Sequence, residues 1–151
     1  MDLTYLKELY EQGLVCFHES FPTWQEAILA AVEPLVKKGM VTADYGPSIL
    51  EHVDKFGPYI FLAPHICMPH CNAHECVRTP GVCFMKCNQP VIADPDDPEM
   101  GAELFFSVAA LAEGDHLEAV QRLMKILEDD SIVEALLAVH SEDDFRQLIS
   151  P

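Results

Sequence analysis

Gly57-Pro58-Tyr59-Ile60-Phe61-Leu62-Ala63-Pro64-His65-Ile66-Cys67-Met68-Pro69-His70 is the stretch on which the fold turns. Tyr59 to Ala63 is an unbroken apolar run between turn-forming residues, which predicts a buried strand. That strand runs into Pro64, and Pro69 stands directly before His70. A proline locks its own φ and drives the residue ahead of it toward extended geometry. His70 is therefore expected on a stiff backbone at a strand end, where open α/β sheets tend to place their sites. An imidazole on such a platform suits a nucleophile or a metal ligand.

Working outward, Leu3 to Gln12 predicts a short amphipathic helix and Leu14 to Phe17 a short strand. Thr23-Trp24-Gln25-Glu26 is a capping box opening a helix that carries Ala27, Ile28, Ala31, Val32, Leu35 and Val36 and ends at Gly39. A second helix, Tyr45 to Phe56, presents Ile49, Val53 and Phe56 and stops at Gly57-Pro58. Beyond His70, Gly81 to Cys87 reads as a strand with Cys83, Met85 and Cys87 on one face. Asn88 to Met100, with Pro90, Pro95 and Pro98, reads as an acidic surface loop. Leu104 to Leu111 is apolar apart from Ser107, so a central strand covered on both faces is expected. Three helices follow: His116 to Glu128, Ser131 to Val139 behind a Ser131/Glu134 capping box, and Glu142 to Ile149 behind Ser141. The order predicts one α/β domain over residues 1–151, a small mixed β-sheet with helices on both faces.

Composition narrows the function. The chain has 151 residues, half of them hydrophobic, enough for one well-buried core. No apolar run approaches the roughly 18 residues of a membrane span, and the first residues lack a signal-peptide pattern, so a cytoplasmic protein is expected. A formal net charge of −16 disfavours nucleic acid as a partner. The six cysteines are expected as free thiols. Cys16, Cys67, Cys83 and Cys87 lie in apolar stretches and read as core residues, whereas Cys71 and Cys76 fall in a loop. No Gly-rich phosphate loop or serine elbow is present.

Chemistry concentrates in the histidines. His65, His70 and His74 interleave with Cys67, Cys71 and Cys76, and His116 sits behind Glu113-Gly114-Asp115 at a helix start. His18, His52 and His140 read as peripheral and solvent-exposed. One reading makes His70 a neutral imidazole that attacks phosphorus, since imidazole titrates near pH 6.5 and is available as a base at neutral pH. His116, with free amides at its helix start, would then help hold the phosphoryl oxygens. The other reading is a transition-metal site built from His65, His70, His74 and Cys71. Against it, no Cys-x2-Cys or other standard zinc spacing is present, so no metal and no cofactor are expected.

At these residues the chain resembles the enzyme IIA components of the bacterial sugar phosphotransferase system, mannitol/fructose type, and most of all their ascorbate-specific branch. The matching residues are Trp24-Gln25-Glu26-Ala27, Tyr45 ahead of the Ile49 to Val53 helix, Gly57-Pro58-Tyr59, Ala63-Pro64 and Met68-Pro69-His70. Ala109-Ala110, His116 and the helix Leu123-Met124-Lys125-Ile126-Leu127 match the family's second histidine region. The resemblance implies a mixed sheet with helices on both faces. It further implies that His70 accepts a phosphoryl group from the phosphocarrier HPr and passes it to an enzyme IIB cysteine. His116 would be the second active-site histidine, and a membrane enzyme IIC an indirect partner. Self-association as a homodimer stays open.

The departures from the family pattern are specific. His65 stands where a glycine is expected after Ala63-Pro64. After the active histidine the family has a small residue, Arg, Pro and Glu; here stand Cys71, Asn72, Ala73 and His74. The missing arginine is a charge-assisted, fork-shaped donor. Asn72 offers neutral hydrogen bonds in its place, and His65 or His74 would have to supply charge. The alternative use of such a scaffold is a regulatory or metal-binding protein.

Overall fold

The computed structural model describes residues 1–111 and 117–150. The chain runs α1 (Thr4–Glu11), β1 (Val15–His18), α2 (Trp24–Lys37), α3 (Tyr45–Phe56), β2 (Phe61–Ala63), β3 (His65–Cys67), β4 (Gly81–Val91), β5 (Ala102–Ala109), α4 (Leu117–Leu127), α5 (Asp130–Leu137) and α6 (Glu142–Ile149). Single 3-10 turns lie at His74–Cys76 and Pro98–Met100.

The strands form one mixed sheet in the order β1-β4-β5-β3-β2. β5 is its middle strand, antiparallel to β4 and parallel to β3. Every second residue of β4 faces the same way. On one face the Cys83 thiol reaches the Ala31 carbonyl of α2 at 3.1 Å. On the other, Phe84 stacks on Phe106 and meets Phe145 of α6, and the Lys86 ammonium donates to the Val139 carbonyl just past α5. Helices thus cover both faces, as the residue pattern predicts. α3 lies against α2 at Gly46, where a Cβ would come within 2.8 Å of the Leu29 side chain.

Helix ends follow local chemistry. The Thr23 hydroxyl accepts from the Glu26 amide at 3.2 Å, so the expected cap of α2 is present. α3 ends at Gly57, whose φ of +87° is open to glycine at little cost. α5 is capped two residues earlier than expected: the Asp129 carboxylate accepts from the amides of Ser131 and Ile132, and Ser131 lies inside the helix.

The strands depart further from expectation. The strand expected over Tyr59 to Ala63 shrinks to β2, because Tyr59 and Phe61 spend their amides on the turn carbonyls of Gly57 and Pro58. β3 was not expected at all; it exists because β5 offers it a parallel edge. β4 continues to Val91 instead of stopping at Cys87, with Pro90 in the interval where its register against β5 shifts and no ladder amide is needed. β5 itself starts two residues before Leu104 and ends at Ala109.

Candidate phosphoryl-transfer site

β3 and β5 are parallel, so their C-terminal ends lie side by side. The loop leaving β3 is bound there by four hydrogen bonds. Met68 N–H donates to Ile60 O (2.8 Å), and Val108 N–H donates to Pro69 O (2.9 Å). Tyr59 Oη donates to His70 O (2.5 Å), its ring meeting the imidazole edge-on at 5.2 Å. His70 Nδ1 lies 2.6 Å from Met68 O. Beneath the loop, fully buried Tyr45 donates its hydroxyl to Val108 O at 2.6 Å. Val108 thereby joins α3 to the histidine loop through its two backbone groups.

His70 opens into a cavity of about 520 Å³. Its polar lining is His52, His70, Cys71, Asn72 and His74; Phe56, Tyr59, Met68, Val108, Ala110 and Val120 supply the apolar part. Among the described residues, no carboxylate lines it. In a chain of net charge −16, the described lining of this cavity adds no negative side chain to repel an anion.

The three imidazoles are anchored alike. His52 Nδ1 is 2.8 Å from Ser48 O, and His74 Nδ1 is 2.9 Å from Ala110 O. With His70 on Met68 O, every Nδ1 faces a backbone carbonyl. A carbonyl only accepts, so each Nδ1 carries its proton, and in the neutral ring Nε2 is the bare nitrogen. The neighbouring acidic groups stay neutral. Burial pushes the Tyr59 phenol up to about 12. The Cys71 thiol is raised first by burial, then by Cys76 and Glu75.

The expected residues therefore divide. His70, Asn72, His74 and Cys71 line one cavity. His65 does not line it; on the exposed side of β3, its Nδ1 pairs with Glu103 at 2.9 Å. Its φ of +76° marks the left-handed backbone that explains why glycine is the family residue there. His116 lies outside the described residues. Among the described residues, no three His, Cys, Asp or Glu side chains are placed to hold a metal, so the set His65, His70, His74 and Cys71 does not assemble one.

His52, read from the sequence as peripheral, lines the cavity, with Nε2 2.7 Å from Asn72 Oδ1. Its one signal was a position four residues before Phe56 on α3, which puts both on one helix face. Cys16 is half-buried, Cys67, Cys83 and Cys87 are buried as expected, and Cys76 is buried although it lies outside the regular strands.

Residues 8–151 match the family described as "Phosphoenolpyruvate-dependent sugar phosphotransferase system, EIIA 2", and the chain belongs to it. It is 30% identical over 128 residues to the ascorbate-specific PTS system EIIA component of Escherichia coli K12, covering 84% of this chain and 82% of that one. The fold matches the solution structure of the mannitol-specific cryptic phosphotransferase enzyme IIA CmtB from Escherichia coli, with a TM-score of 0.77, 28% identity and 92% of each chain covered. It also matches the complex of enzyme IIA-Mtl with phosphorylated enzyme IIB-Mtl from Escherichia coli, with a TM-score of 0.73, 27% identity, and 90% of this chain and 93% of that one covered. Among the described residues, no helix is long and apolar enough to cross a membrane.

Proposed function

We propose that His70 is the phosphoryl carrier of this enzyme IIA, charged by an HPr-like phosphocarrier and discharged onto an enzyme IIB cysteine in an ascorbate-type uptake system, with a membrane enzyme IIC downstream. The observation that carries the reading is His70 Nδ1 on Met68 O, with Nε2 left bare in a cavity that no carboxylate among the described residues lines. The Nε2 lone pair forms a bond to phosphorus while the donor's phosphorus–nitrogen bond breaks and its electron pair returns to the donor imidazole. His70 keeps its Nδ1 proton, so its ring turns cationic as the bond forms, and the Met68 carbonyl faces that charge. His74 and Asn72 hold groups toward the same cavity. His116 is the second supporting histidine by sequence. Onward transfer reverses the step, with an IIB thiolate as attacking group. The ascorbate-specific relative and the solved IIA–IIB complex support the choice of substrate system and acceptor.

Incubation with phosphorylated HPr should add one acid-labile phosphoryl mass to the intact protein and none to His70→Ala. A wild-type chain that stays unlabelled, or a label that persists in His70→Ala, overturns the proposal.

A further inference from the structure

His52 faces two oxygens to which one neutral imidazole cannot donate at the same time. Its Nδ1 faces Ser48 O, the carbonyl one turn back in α3, and its Nε2 faces Asn72 Oδ1. Both partners are oxygens that only accept, so both ring nitrogens must carry protons for the pair to stand as drawn. Asn72 Oδ1 is then occupied, and among the described residues nothing takes its NH2 end, which can meet a ligand in the cavity that Asn72 and His52 share with His70. If the ring loses its Nε2 proton, the pair survives only when the amide turns over. Asn72 then presents an oxygen to that ligand instead of a donor.

We propose that His52 is a positioning residue for phosphoryl transfer: its protonated ring holds the Asn72 amide with the NH2 end toward the phosphoryl group on His70. The idea rests on His70 being the carrier. It accounts for the chain working without an arginine two residues after His70, because an imidazolium behind a neutral amide replaces a guanidinium in front. The charge is relayed rather than presented. A dianionic phosphoryl group in the cavity in turn favours the protonated ring, so loading of His70 and proton uptake by His52 reinforce each other. Among the described residues, the titratable and charged groups around His52 are Glu51, Asp54 and Lys55 from α3, and His70, Cys71, His74 and Tyr59 from the opposite wall.

The test is a double-mutant cycle on the rate of phosphoryl uptake from phosphorylated HPr, followed by intact mass between pH 5.5 and 8.5. His52→Ala and Asn72→Ala should each slow uptake about tenfold at pH 7, and the double variant should be no slower than either alone. His52→Gln supplies a permanent N–H for Asn72 Oδ1. It should recover to within about twofold of wild type and lose the part of the pH profile that His52 contributes. Additive losses, or His52→Gln as slow as His52→Ala, overturn the proposal. A second readout needs no transfer: the Asn72 side-chain amide resonances of the unphosphorylated protein should shift with the His52 ring across that pH range, and not in His52→Gln. Amide resonances that ignore the ring overturn the pairing by themselves. Absence of any phosphoryl adduct in wild type overturns the carrier role of His70 instead.

Discussion

His70 Nδ1 sits 2.6 Å from the carbonyl oxygen of Met68, two residues back in the same chain. The bond closes a small ring around buried Pro69, whose fixed φ leaves the loop few ways to open it. Proline and carbonyl together select one tautomer and one nucleophilic nitrogen. The same Met68 residue binds Ile60 through its amide, so the tautomer is tied to the sheet and not to a free loop.

The phosphoryl group is accordingly expected on Nε2. Phosphorylated protein examined by nitrogen–proton correlation NMR should show phosphorus coupling to the His70 Nε2 pattern, with Nδ1 still protonated in the neutral range. A stable adduct on Nδ1 would mean that the Met68 contact breaks during transfer.

How much of this was legible in the sequence depends on distance along the chain. The Thr23 cap, the glycine stop of α3 and the apolar run of β5 are set within a few residues; the two helix signals stand as expected, and β5 is present with its bounds two residues earlier. β3 is three residues long and exists through its ladder to Ala102, Leu104 and Phe105, which no local pattern announces. His52 and Asn72 are twenty residues apart, and only the packing of α3 against the histidine loop makes them partners. Lys86 is the plainest case of a hidden contact. It is 2% exposed inside β4, its ammonium bonded to Val139 O and Asn88 Oδ1, with burial holding its pKa below the usual lysine range. Its partner carbonyl belongs to a turn 53 residues later. The strand was readable; the charge inside it was not.

His65 carries a backbone cost that glycine would not. A left-handed φ costs an ordinary L-residue roughly 1–2 kcal/mol, and glycine's greater freedom in the unfolded chain returns up to about 1 kcal/mol of that. The Glu103 pair lost on substitution is half-exposed on the histidine side and worth little. His65→Gly should therefore stabilise the fold by about 0.5–1 kcal/mol in urea unfolding. Because His65 does not line the cavity, phosphoryl uptake should stay unchanged. A destabilised variant would show that the His65–Glu103 contact outweighs the strain.

Cys71, next to His70 and half-buried, is in the sequence a loop cysteine and a metal-ligand candidate. The structure assigns it the opposite character: burial, then Cys76 and Glu75, raise its pKa above the ordinary thiol value of 9.0. Only the thiolate alkylates or binds soft metals, so at pH 7 little of Cys71 is in the reactive form. The sign is fixed by the direction of the shift. Raising the pH should increase its iodoacetamide labelling about tenfold per unit, and the rise should continue past pH 9, where a free thiol levels off. Peptide mapping of briefly alkylated protein between pH 7 and 10 measures this directly. Loading His70 first should slow labelling further, since a phosphoryl dianion in the same cavity disfavours a second negative charge beside it. Rapid labelling at pH 7 that plateaus by pH 8 would instead identify Cys71 as an activated thiol, and would return it to the chemistry of the site.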